Sequence, residues 1–61
     1  MKNIKAMASR LQNSNITEIG DYCETIIKLA GFNPNSGEYY RQCNILFNEI
    51  LDELDAMRKA S

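Results

Sequence analysis

Apolar residues recur along the last third of the chain at alternating intervals of three and four positions. They are Tyr40, Cys43, Phe47, Ile50, Leu54 and Met57. This is the a/d spacing of a helix that packs along one seam, and Leu46 and Leu51 at flanking positions widen that seam. The pattern predicts a helix from about residue 37 to 59, with Tyr40 in the seam and Tyr39 at its edge.

A cluster of helix-breaking residues precedes this helix, at residues 31–37. Gly31 is typical of the residue that follows a helix end, because glycine readily adopts a positive φ. Ser36 can cap the start of the next helix, and Asn33 followed by Pro34 can do the same. The cluster predicts a turn at residues 31–36.

The residues before the turn repeat with helical period as well. Ile19, Cys23, Ile26 and Ile27 predict a helix from about 16 to 30, and the first dozen residues predict another from about 2 to 12. Residues 13–17 between them are poor helix formers, and Asn15 followed three residues later by Glu18 has the spacing of a capping box. Two interpretations stay open here: helix 1 ends near residue 12 and a new helix begins, or one helix continues through a weak or bent middle.

The register of the apolar positions favours an antiparallel hairpin. If the turn is centred on Asn33, residues at one level have numbers that sum to about 66, so Cys23 meets Cys43 and Leu11 meets Leu54. The same apolar phase continues across residues 13–17. We therefore predict an all-α single domain over residues 1–61, an antiparallel helical hairpin. In the first of the two interpretations its first arm is broken at 13–17, which gives three helices.

The seam is wider than one partner helix needs, and a chain of 61 residues buries only about 60% of its unfolded surface. We therefore predict that two copies form a four-helix bundle, with Leu46, Leu51, Ile27 and Met7 buried between chains. The alternative is a monomer in which helix 1 folds back as a third helix. The predicted dimer and core seam comprises Tyr40, Cys43, Leu46, Phe47, Ile50, Leu51, Leu54, Met57, Ile19, Ile26 and Leu11.

The composition argues against several kinds of chemistry. The chain has no histidine and two cysteines, so it lacks Cys/His zinc sites and histidine-activated nucleophiles. We expect no enzyme activity, cofactor, metal or small-molecule substrate. No apolar run approaches the roughly 20 residues that span a bilayer, so we expect no membrane association and a cytoplasmic location where Cys23 and Cys43 stay reduced.

Two surfaces are candidates for binding partners. The first is basic: Lys2, Lys5 and Arg10 give the first fifteen residues a charge of +3. The second is an apolar patch near the turn, formed by Phe32, Tyr39 and Ile45.

These features favour a small regulatory or adaptor protein that binds another protein. We expect it to act as a homodimer and to be prokaryotic or phage-encoded. The alternative is a nucleic-acid-binding hairpin dimer that uses the basic first helix.

Overall fold

The computed structural model describes residues 3–60 and contains three helices. They are α1 (Ile4–Arg10), α2 (Ile16–Leu29) and α3 (Gly37–Ala60). Helices account for 78% of the described residues, which include no strand, so the all-α prediction is confirmed. None of these helices combines the length and apolar content that crossing a membrane requires.

The long helix α3 is the common support for the other two helices. Both α1 and α2 pack against it, whereas the backbones of α1 and α2 do not come close to each other. Near the turn, the Tyr39 hydroxyl donates a hydrogen bond to Glu24. At the far end, the Gln12 side-chain amide lies 3.5 Å from the Met57 sulfur. The chain is therefore an antiparallel hairpin whose first arm is broken.

A capping box produces the break in the first arm. The Asn15 side chain accepts a hydrogen bond of 2.8 Å from the Glu18 amide, and the Glu18 carboxylate accepts one of 3.0 Å from the Asn15 amide. These bonds satisfy two amides that the start of a helix leaves unpaired. The break covers residues 11–15, two positions earlier than predicted, because the Leu11 amide already bonds three residues back, to Ala8.

The turn begins with a Schellman motif at the end of α2. Gly31 has a φ of 98°, its amide bonds to the Lys28 carbonyl, and the Phe32 amide bonds to the Ile27 carbonyl. Phe32 consequently folds back onto the core and is half-buried.

Ser36 begins α3. Its hydroxyl oxygen accepts a hydrogen bond of 3.2 Å from the Tyr39 amide and donates one of 2.7 Å to the Asn33 carbonyl. Of the two candidate caps, Ser36 is the one the structure uses, while Asn33 shapes the turn before it. An ion pair of 3.1 Å between Lys59 and Asp55 lies in the last turns of the helix.

Nine apolar residues form the core between the helices: Ala8, Leu11, Ile19, Cys23, Ile27, Tyr39, Leu46, Ile50 and Leu54. Five members of the predicted seam are half-buried around it: Ile26, Cys43, Phe47, Leu51 and Met57.

One residue of the predicted seam is misplaced within the hairpin. Tyr39 is 2% exposed and Tyr40 is 62% exposed, the reverse of the prediction. The reason is helical phase. Tyr39 lies eighteen residues before Met57, or five whole turns of about 3.6 residues, so it is on the same face of α3 as Met57, which packs against the core. Tyr40 is rotated by about 100° away from that face. The seam period of 3.5 residues departs from this period over a long straight helix.

The predicted burial of Ile27 and Leu46 between two chains is also wrong. Ile27 is 3% exposed and Leu46 is fully buried within a single chain. Met7 and Leu51 are half-buried against the same core. Because α1 and α2 follow one another along α3, one chain already covers most of the wide seam.

Candidate functional site

A groove with a volume of about 350 Å³ lies between α2 and α3. Its walls are mainly apolar and combine part of the core with exposed residues from both helices. The lining residues are Ile16, Gly20, Cys23, Glu24, Tyr39, Tyr40, Cys43, Asn44 and Phe47.

The end of the groove towards the start of α2 is apolar. Ile16 is 61% exposed there and is the first residue of α2, directly after the Asn15 cap. Gly20, one turn later, leaves open space: a Cβ at this position would meet no atom within 4 Å. The half-buried ring of Phe47 forms the facing wall.

The end towards the turn carries the polar groups. The Tyr39 hydroxyl donates a hydrogen bond of 3.1 Å to Oε1 of Glu24. The Tyr40 ring packs edge-on against the Tyr39 ring, with centroids 5.2 Å apart. Burial raises the pKa of Tyr39 well above its usual value, and the Glu24 carboxylate raises it further. Tyr39 is therefore a neutral donor that holds Glu24 beside the exposed Tyr40 ring.

Cys23 and Cys43 line the same groove from opposite helices, in agreement with the register predicted for the hairpin. Both are free thiols; Cys23 is 1% exposed and Cys43 is half-buried. Burial raises the pKa of Cys23 to about 11, and Cys43 and Glu24 add to the shift. Cys23 is therefore a protonated thiol at neutral pH and packs as a small apolar side chain.

Polar groups in the described part of the chain are satisfied. Every buried side-chain nitrogen and oxygen of residues 3–60 has a hydrogen-bond partner. Within the same range, no three acidic, cysteine or histidine side chains are grouped so that they could hold a metal ion. What the groove offers chemically is an apolar surface with one carboxylate at its edge.

The two predicted partner surfaces differ in their exposure. Lys5 and Arg10 are exposed on α1, and Lys2 lies outside the described residues. The apolar patch near the turn was predicted wrongly, because Tyr39 is buried and Phe32 packs on the core. Of its three residues only Ile45, at 41%, is substantially exposed.

Sequence reasoning missed Ile16, Gly20 and Glu24 as groove residues. If α2 is projected along its axis from the capping box, Ile16 and Gly20 fall on the same flank of the buried Cys23. That projection would have grouped them on one edge of the buried face. The depth of the groove could not be found in this way, because it depends on how closely α2 packs on α3.

No protein-family model matches the chain, and no curated protein and no solved structure matches it.

Proposed function

We propose that this chain is a small non-enzymatic regulatory or adaptor protein that binds another protein in the groove between α2 and α3. One observation carries the proposal: Ile16 and Tyr40, two large apolar side chains, are 61% and 62% exposed at opposite ends of the groove, one on each helix. Exposed apolar residues around a concave surface are typical of contact sites.

The shape of the groove also supports a protein partner. Its volume of about 350 Å³ is at the lower end of small-molecule pockets, but two flanking helices bound it and Gly20 leaves it open above α2. An amphipathic helix fits such a surface, because its side chains enter the gap between two parallel ridges.

We further propose that the chain acts as a homodimer through the other side of α2. Leu29 is 79% exposed and lies nine residues after Gly20, which places it about 180° around the helix from the groove. Tyr22 and Ile26 are half-buried on the same side as Leu29. A typical interface takes about 800 Å² from each partner, a little less than a fifth of the 4446 Å² surface.

The size of the surface supports this pairing as well. A compact protein of 7.0 kDa is expected to expose about 4000 Å², and this chain exposes 4446 Å². The excess follows from an elongated shape of 39 × 23 × 15 Å. A second copy would cover apolar surface that one hairpin leaves in water.

Binding of nucleic acid by α1 stays the alternative. Lys5 and Arg10 are exposed, but their spacing places them about 140° apart around the helix, so they do not share one face.

Photo-crosslinking in cells that express the gene tests the groove. A photoreactive residue at position 40 or 16 should give the same partner adduct, and one at the exposed position 52 should not. Gly20→Met, whose Cβ would meet no neighbouring side chain within 4 Å and whose longer side chain would enter the groove, should abolish the adduct. An equal adduct from position 52, or one that survives Gly20→Met, would contradict the proposal.

A further inference from the structure

We propose that the partner segment in the groove is an amphipathic helix with an aliphatic anchor and an arginine one turn apart. This inference rests on the proposed function and specifies the chemistry of the partner. It follows from the order of apolar and polar groups along the groove.

The aliphatic anchor belongs above Gly20. Ile16 and Phe47 wall this end, and a side chain entering over Gly20 meets no atom of the chain within 4 Å of the ideal Cβ position. Leucine, isoleucine or methionine can use that space because the surrounding walls offer apolar contacts. A charged side chain placed there would lose water without finding a partner.

The arginine belongs beside Glu24 and Tyr40. Among the described residues that line the groove, Glu24 is the only charged one. Its Oε1 is held by Tyr39, and the carboxylate is exposed. A guanidinium group can donate to this carboxylate while its flat face lies on the exposed Tyr40 ring. The ammonium of lysine offers only a point charge, so arginine fits the pair better.

The spacing of the two partner residues follows from α2. Gly20 and Glu24 are four residues apart on this helix, a rise of about 6 Å. A partner helix that lies along the groove has the same rise per residue, so its anchor and its arginine fall at positions i and i+4. The partner is therefore recognised by one apolar side chain and one cation on the same face.

Fluorescence anisotropy with a synthetic helical peptide tests the inference. The probe is an alanine-based peptide with leucine and arginine at i and i+4, and matched peptides carry glutamate for arginine or serine for leucine. The leucine–arginine peptide should bind the full chain, and each matched peptide should bind about tenfold more weakly.

Variants of the chain supply the controls. Glu24→Gln keeps an oxygen that can accept the hydrogen bond from Tyr39, and it should weaken the leucine–arginine peptide about tenfold. Asp52→Asn removes one exposed carboxylate elsewhere and should leave binding unchanged. Glu24→Arg should reverse the preference and favour the glutamate peptide.

Two results would overturn the inference. One is equal affinity for the arginine and glutamate peptides, or no binding of either at millimolar peptide. The other is a dimer that Tyr40→Arg dissociates, because a second copy would then occupy the groove. The first result with the position-40 adduct retained would leave the proposed function standing, whereas the second result, or loss of the adduct, would remove both.

Discussion

Tyr39 on α3 and Glu24 on α2 are joined by a 3.1 Å hydrogen bond across fifteen residues of sequence. The bond has two effects at once. It fixes the level at which the two helices meet, and it holds the carboxylate at the polar end of the groove. Tyr40, the next residue, extends outward from the same point.

Tyr39→Phe removes this bond and keeps the buried ring. We expect the urea midpoint to fall by about 0.5 M, because the contribution of one hydrogen bond is lost. Tyr40→Phe is the matched control and should leave the midpoint unchanged, since the Tyr40 side chain is largely exposed. An equal loss in both variants would show that the bond does not support the hairpin.

Stability should fall as the pH rises above about 9. The folded chain raises the pKa of Cys23 from 9.0 to about 11, so below pH 9 this thiol is protonated in both states. Between those values the unfolded chain releases the proton more readily, and the free energy of unfolding decreases with pH. The raised pKa of Tyr39 extends the decrease to higher pH.

Urea titrations across this pH range measure the slope. Cys23→Ala should be less stable at neutral pH because it leaves a small cavity, but its decrease with pH should be shallower. An unchanged slope in this variant would exclude Cys23 as a source of the pH dependence.

Gly31→Ala and Gly20→Ala should have opposite effects. Neither new Cβ would meet an atom within 4 Å, so backbone conformation decides the outcome. Gly31 has a φ of 98°, and alanine there should cost about 1 kcal/mol. Gly20 lies inside α2, and alanine there should add about 0.5–1 kcal/mol. Thermal unfolding followed by circular dichroism measures both, and a gain at position 31 would argue against the Schellman turn.

Sedimentation equilibrium should give twice the 7.0 kDa chain mass at micromolar concentration. Leu29→Glu should restore the monomer, because a charge would replace the most exposed leucine of the proposed interface. Tyr40→Glu changes the opposite side of the hairpin and should leave the dimer intact. A wild-type chain that sediments as a monomer would remove the homodimer from the proposal.

Local signals along the chain predicted much of the fold. Asn15 with Glu18 and Gly31 in the turn act through hydrogen bonds to near neighbours, so their residue types largely determine the geometry. The facing positions of Cys23 and Cys43 followed from the register of two apolar repeats.

Other features depend on packing, and the sequence did not predict them. Tyr39 and Tyr40 both suit a seam, and only the accumulated rotation of a 24-residue helix decides which one enters the core. The groove depends similarly on how closely α2 approaches α3 around Gly20. Ile27 and Leu46 were predicted to be buried between two chains because the sequence does not show that α1 and α2 follow one another along α3. In that arrangement a single chain buries both residues.

Because α1 and α2 are attached to α3 separately, we expect α1 to detach from α3 while α2 stays packed on it. α1 has only seven residues, too few to persist as a helix away from α3. Its detachment exposes Ala8 and Leu11 but leaves the contacts of α2 with α3 in place. Amide protons of α1 should thus exchange with solvent through local opening, while those around Cys23 and Leu46 exchange only when the whole hairpin unfolds.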